Sequence, residues 1–403
     1  MSTKMLSRVV TKFRRKTVNL VRQLPCIRFR KELKLYQYYV ENGVPKSQTF
    51  DYKKIKDMTL AYVERMRVGN DVFLYKYSDS TAQPNLYSSV FACLIKSLYG
   101  ELSQLDSKEK QAWLSYFDSF QSMDDGLFYD SVLANKLFET EDWWGARHLA
   151  PLIIIAYTAL GNKPRCDFKF LEAFYTPKNM KEWLESRDWF NRFEYVGNEI
   201  MNYGVLLQYS RDIFNNQYAS IAINVMLDWL KKSIDPATGL WGLGPFDTAE
   251  KLSRAVQCAY HIYPLFLYDK RDIPYKEKII DNVLATQNQL GGYGVKLNSS
   301  ACEDIDSIEP LIRLTQLTDY KKLAINQSLY RALPWLLTNM NPDGGFVFRR
   351  NEAFIYGHEE MSSGVNESSM FATWFRTLCL AYLINHINNK YFYLLNRTPG
   401  YEF

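Results

Sequence analysis

The sequence predicts an all-α protein, an (α/α)6 toroid of six inner and six outer helices, on three observations. Beyond about residue 50, apolar residues recur at helical rather than alternating spacing, with short polar turns between segments. Amphipathic segments begin at a nearly constant interval, with onsets at Asn85, Glu141, Glu194, Ala249, Asp304 and Asn366 and steps of 56, 53, 55, 55 and 62 residues. A fixed period of this kind marks a repeat architecture. Between them, helices end in glycine turns followed by an aromatic: DDGLF at Phe128, TGLW at Trp241, GGYG at Tyr293 and DGGF at Phe346. Glycine ends a helix in the left-handed conformation, and the following aromatic can pack back over the helix it terminates.

Six helical pairs can stack as an open superhelix or close into a ring. An open array needs polar end caps, whereas a ring packs its sixth unit on its first. The last segment, with Met370, Phe371, Trp374, Phe375, Leu378, Leu380 and Leu383, is as apolar as the middle ones. Closure is therefore expected, with a cavity at one end of the inner barrel and no sheet of more than two short strands. The expected division is a basic amphipathic extension over 1–50 and the toroid domain over 51–403.

A chain of 403 residues with 47% apolar content can bury one large core or two ordinary ones. Its most apolar stretch, LAPLIIIAYTAL from Leu149 to Leu160, has the length of a buried helix and not of a membrane span. The six cysteines lack CxxC spacing, and no apolar leader precedes a cleavage site. A reduced, cytoplasmic protein is expected.

The net charge of +5 is uneven: residues 1–34 hold eleven Lys or Arg against Glu32 alone, which leaves the remainder at −5. Met5, Leu6, Val9, Val10, Phe13, Leu20, Val21 and Leu24 fall on one side of a helix there, with most charges on the other. Such a helix either packs its stripe on the main body or lies on an anionic membrane at the inner face. No nucleic-acid-binding module accompanies it.

Candidate chemistry centres on Gly291–Leu314, where Glu303, Asp304 and Asp306 crowd one helix start. Acids there are favoured by free backbone N–H groups and the helix dipole, which is one reading. The other is functional: the repeat aims these acids at the central cavity, where carboxylates that cannot all ionise together keep one protonated. Residues sharing that depth are Arg147, His148, Asn198, Asn202, Arg254, His261, His358 and Glu367. Trp143, Trp144, Tyr195, Tyr203, Tyr356 and Trp374 could present aromatic faces to a cation. His386, near a helix end, is expected to be solvated.

The layout from Asn85 onward resembles the terpenoid-cyclase and prenyltransferase toroids, whose repeats carry glycine-plus-aromatic turns. In class II terpene cyclases an Asp-x-Asp-Asp motif lies at the mouth of an inner helix, and its middle Asp protonates the substrate. DIDS resembles that motif, which implies Asp306 as the general acid, with Asp304 first and Ser307 standing in the last position. The resemblance implies an isoprenoid substrate, no resident cofactor, and Mg2+ only as the companion of a diphosphate substrate.

Three rival readings stay open. Protein prenyltransferase subunits hold zinc through Asp-x-Cys and a later His, and Cys302, Asp304 and His358 supply those ligand types in another order. Alpha/alpha toroids also carry glycoside hydrolases, epimerases and polysaccharide lyases, for which an oligosaccharide is the substrate. A hydrolase would need a second carboxylate, such as Glu194, Glu359, Glu360 or Glu367, across the cavity. A non-catalytic binding bowl is the third.

Overall fold

The computed structural model describes residues 51–242, 248–388 and 393–402. The basic segment expected to be helical lies outside these residues, as does its expected contact with lipid. In chain order the helices are α1 (Tyr52–Arg65), α2 (Leu86–Leu98), α3 (Ser107–Asp118), α4 (Lys136–Thr140), α5 (Ala146–Ala159), α6 (Pro177–Glu185), α7 (Phe193–Ile213), α8 (Gln217–Ser233), α9 (Ala249–Tyr268), α10 (Lys276–Ala285), α11 (Ala301–Leu314), α12 (Lys322–Thr338) and α13 (Met370–Asn388).

Helices α2, α5, α7, α9, α11 and α13 each pack on the next, and α13 packs back on α2. The ring is closed, and the fold is an (α/α)6 toroid. Neighbouring inner helices run in the same direction: Gly197 of α7 abuts Cys258 of α9, and Gly204 one turn pair later abuts Leu265. The outer layer is α1, α3, α6, α8, α10 and α12. Among the described residues the only named strands are β1 (Phe354–Ile355) and β2 (Ser362–Ser363), an antiparallel pair with Phe354 opposite Ser363.

Burial follows from this layering. Inner helices have neighbours on every side, so α2 and α13 are buried over nearly their whole length. Outer helices are amphipathic: α8 buries Ala219, Ala222, Ile223, Met226, Leu227 and Leu230 and exposes Tyr218 and Ile221. The glycine turns behave as their sequence implies, with positive φ at Gly126, Gly239, Gly291 and Gly344. Phe128, Trp241, Tyr293 and Phe346 are buried beside them, and the Trp241 indole donates to the Leu230 carbonyl of the helix it follows.

Three onsets fall where the sequence places them: Asn85 caps α2, α7 starts one residue before Glu194, and α9 starts at Ala249. Three move. Helix α5 begins at Ala146 and not Glu141, because Gly145 at φ 81°, ψ −144° interrupts the chain before it. Helix α13 begins at Met370 and not Asn366, which has φ 61°. Helix α11 begins at Ala301 and not Asp304, because Ser300 and Glu303 form a reciprocal capping box.

The earlier start of α11 changes the standing of its acids. Glu303 is the third helical residue and closes the capping box, accepting from the Ser300 N–H at 2.7 Å, while Asp304 and Asp306 lie beyond it inside the helix. Pro310 further along removes the N–H that would have bonded the Asp306 carbonyl.

Candidate functional site

Asp304 is fully buried, yet it is not free. Its carboxylate accepts from the Tyr293 N–H at 3.0 Å, the Trp335 indole at 2.8 Å and the Arg376 guanidinium at 2.8 Å, with Arg376 equally buried. All three partners are donors, so the carboxylate form is the one they hold. Burial pushes its titration up, and Arg376 pulls against that shift. Arg376 in turn donates to the Val347, Ser299 and Phe348 carbonyls. The pair ties α11 to α13 and to the turn after α12, which is structural work.

Asp306 is the opposite case. It is 1% exposed, and neither carboxyl oxygen has a hydrogen-bond partner. Burial first, then the charges of Glu303, Glu309 and Asp304, hold its carboxyl well above the ordinary range. A carboxylate there would be unsolvated and unpaired, so the surroundings favour the protonated form. Tyr260, Tyr401 and Cys302 lie close enough to feel its charge.

His148, in the first turn of α5, joins the same end of the barrel. The Tyr87 hydroxyl lies 2.9 Å from the Gly145 carbonyl, to which it can only donate, and 3.0 Å from His148 Nδ1. Tyr87 has one proton, so Nδ1 carries the hydrogen and Nε2 presents a lone pair. Nε2 lies 3.5 Å from the Tyr401 hydroxyl, while the Tyr356 hydroxyl sits beside the ring, 3.3 Å from Nε2 and 3.5 Å from Nδ1. Burial, with a smaller contribution from His261, lowers the His148 titration to about 3.

His261 follows the same logic on α9. Its Nδ1 lies 2.7 Å from the Gln257 carbonyl, so Nε2 is again unprotonated, and burial lowers the ring to about 4. Aromatic rings wall this end: Tyr87 stacks on Trp144, Tyr356 on Phe371, and Phe91 on Trp374. Trp144 and Trp374 are fully buried within that wall.

Tyr401 arrives from a segment that sequence reasoning missed. Leu394 donates to the Leu98 carbonyl at the last turn of α2, and the Asn396 amide to Ser97 at 2.7 Å. The chain then enters the barrel, where Tyr382 donates to the Tyr401 carbonyl and the Tyr401 ring meets Trp374 and Phe375 edge-on. Residues 393–402 thus run from the carboxyl end of α2 to the first turns of α5 and α13, and they occupy space expected to be open cavity.

The remaining candidates separate from this group. Arg147 and Asn202 belong to a network on Asp142: Arg147 pairs with its carboxylate at 3.1 Å, and Asn202 donates to its backbone carbonyl at 2.8 Å. Tyr203 donates to the same carboxylate, while Trp143 meets Tyr195 edge-on. Arg254 pairs with Glu194 at 2.6 Å. Asn198 is half-buried, with its side-chain carbonyl unpartnered. Glu367 accepts from the Ser80 N–H and hydroxyl, and His358 accepts from the Glu360 N–H. Glu194 and Glu367, so engaged, are not poised as hydrolase partners for Asp306.

The zinc set is not assembled. Among the described residues no three His, Cys, Asp or Glu side chains are grouped to hold a metal. The oxygens of Asp304 are claimed by Arg376, Trp335 and Tyr293 instead. Among the described residues, too, no helix is long and apolar enough to cross a membrane.

No protein-family profile matches the chain, and no curated protein matches it in sequence. Among solved structures it is similar to a polysaccharide lyase at TM-score 0.47 and 10% identity, over 84% of this chain and 98% of that one. It is also similar to ent-copalyl diphosphate synthase from Streptomyces platensis at TM-score 0.39 and 15% identity. That likeness covers 75% of this chain and half of the synthase. At these identities the likeness concerns fold alone.

Proposed function

We propose that the end of the inner barrel around Asp306 is an acid-initiated catalytic site for an unsaturated apolar substrate of isoprenoid type. The observation that carries this reading is the Asp306 carboxyl, buried and without a hydrogen-bond partner, in surroundings that favour its protonated form. Native structures rarely leave such a group unsatisfied, and a function in proton delivery accounts for it. Protonating an alkene needs an acid kept from water, and the cation so formed needs surroundings that stabilise it without capturing it. The rings of Tyr87, Tyr356, Phe371, Trp374 and Tyr401 wall this end of the barrel and would supply the π-electron density such a cation needs. In this reading Asp306 gives its proton to the alkene carbon, and the neutral Nε2 of His148 or His261 takes a proton from the final cation. Glu303 and Asp304 support the acid through their charges, and no resident metal is required.

A second reading draws on His148. An unprotonated Nε2 with the Tyr401 hydroxyl 3.5 Å away and the Tyr356 hydroxyl beside the ring suits proton abstraction and return on a polar substrate, as in eliminative cleavage of an acidic oligosaccharide.

One experiment separates the two. The purified protein is incubated in D2O with a panel of isoprenyl diphosphates and squalene-like polyenes, and separately with uronate-containing oligosaccharides. The acid-initiated reading expects a cyclised product carrying one deuterium, with turnover falling on the order of a hundredfold or more in Asp306→Asn. An unsaturated sugar product, formed equally well by Asp306→Asn, would replace it with the second.

A further inference from the structure

At the carboxyl ends of α9 and α11 lies a cleft of about 470 Å3, lined by Leu267, Lys270, Arg271, Asp272, Lys276, Arg313, Gln316, Leu317 and Arg397. It is separate from Asp306: Arg313 lies seven residues further along α11, roughly 10 Å at the helical rise. Its volume falls in the range of small-molecule sites, about 300–1,000 Å3.

The charge balance of the lining is one-sided, with five cations against Asp272 alone. Three of the five have acidic partners: Lys276 with Asp272 at 2.5 Å, Arg271 with Asp228 at 2.8 Å, and Arg313 with Glu309 at 3.2 Å. The other two do not. Among the described residues Lys270 has no side-chain partner and Arg397 has no carboxylate, its nearest contacts being the Tyr268 ring at 4.8 Å and the Tyr268 carbonyl at 3.5 Å. Lys270 is also held at φ 54°, a conformation a non-glycine residue adopts at a cost.

Helix carboxyl ends repel anions, and one or two cations would offset them. Five cations from three chain segments, two of them without a carboxylate partner, exceed that need. Like charges gathered in one concavity repel each other unless a counter-charge joins them.

We infer that this cleft is a binding site for a phosphate or diphosphate ester. Guanidinium groups match phosphate oxygens through paired N–H donors, and lysine adds a point charge. The half-exposed Leu317 and the partly buried Leu267 give the ester's organic body an apolar surface beside the anion. The site is independent of chemistry at Asp306.

Calorimetric titration of the full chain with inorganic phosphate, inorganic pyrophosphate and octyl phosphate tests the inference without any turnover. Saturable binding is expected, weakening with salt and weakening at least tenfold in Lys270→Gln combined with Arg397→Gln, at unchanged melting temperature. Octyl phosphate should bind more tightly than inorganic phosphate. Absence of binding, or equal binding by the double variant, overturns the site. A double variant that melts lower with unchanged affinity shows that the cations serve the helix ends alone. In a parallel vesicle-binding arm, binding to phosphatidic acid vesicles but to none of the soluble ligands assigns the charge to a lipid surface and overturns the small-molecule site.

Discussion

Asp304 and Asp306 are two residues apart on one helix and have opposite fates. Removing the partner of a buried ion pair strands a charge, which costs about 3–5 kcal/mol. Arg376→Met is therefore expected to lower unfolding free energy in urea by that amount, whereas Asp306→Asn, which removes no bond, should change it by about 1 kcal/mol or less. Equal losses would refute the division of labour between the two acids. Arg376 was legible in retrospect: a lone charge within FATWFRTLCLAYL must find a buried partner. Tyr401 was not, since nothing in RTPGYEF announces a segment that enters a barrel.

Glu402 offers a titration at the same scale. It is fully buried beside Asn396, and burial raises its carboxyl from 4.5 to about 7. The folded state holds this proton more tightly than the unfolded chain. Its stabilising contribution is therefore complete below about pH 4.5 and is lost as pH rises through about 7. The loss amounts to about 3 kcal/mol, at 1.36 kcal/mol per pKa unit. Denaturation of Glu402→Gln across this window should show a correspondingly flatter dependence on pH than the parent; parallel curves would exclude Glu402 as the cause.

At the scale of elements, the glycine turns fix how each outer helix hands over to its neighbour. Gly344, at φ 91°, follows α12, and a Cβ there would meet the Met58 carbonyl of α1 at 1.9 Å. Gly161 also has positive φ but has open space around it. Gly161→Ala is expected to cost about 1 kcal/mol from backbone conformation alone, and Gly344→Ala on the order of 3 kcal/mol or more, because α1 must also move. Comparable melting temperatures for the two variants would show that this junction is loose. The period and these turns were readable because local chemistry sets them. The onsets that moved, at Glu141, Asp304 and Asn366, were set by a left-handed glycine, a serine cap and a left-handed asparagine, which outrank the acid or amide that seemed to start the helix.

At the scale of the molecule, closure predicts how stability is shared. In an open array the end units fray, since each has a single neighbour. In the ring, amides of α2 and α13 should exchange with deuterium as slowly as those of α7 and α9; faster exchange confined to α2 and α13 would mean that the seam opens independently. The closed ring itself could be anticipated from the apolar last segment, but the filling of its centre could not, because that depends on contacts between residues far apart in sequence.

That seam also governs the order of events during synthesis. Ser97 and Asn396 are 299 residues apart and meet in the finished protein, and α2 waits for α13 as its second neighbour. A ribosome adding about 5–20 residues per second leaves that flank of α2 uncovered for tens of seconds. Until α13 is made the ring is unclosed, and the apolar face of α2 that will meet it has no cover from within the chain.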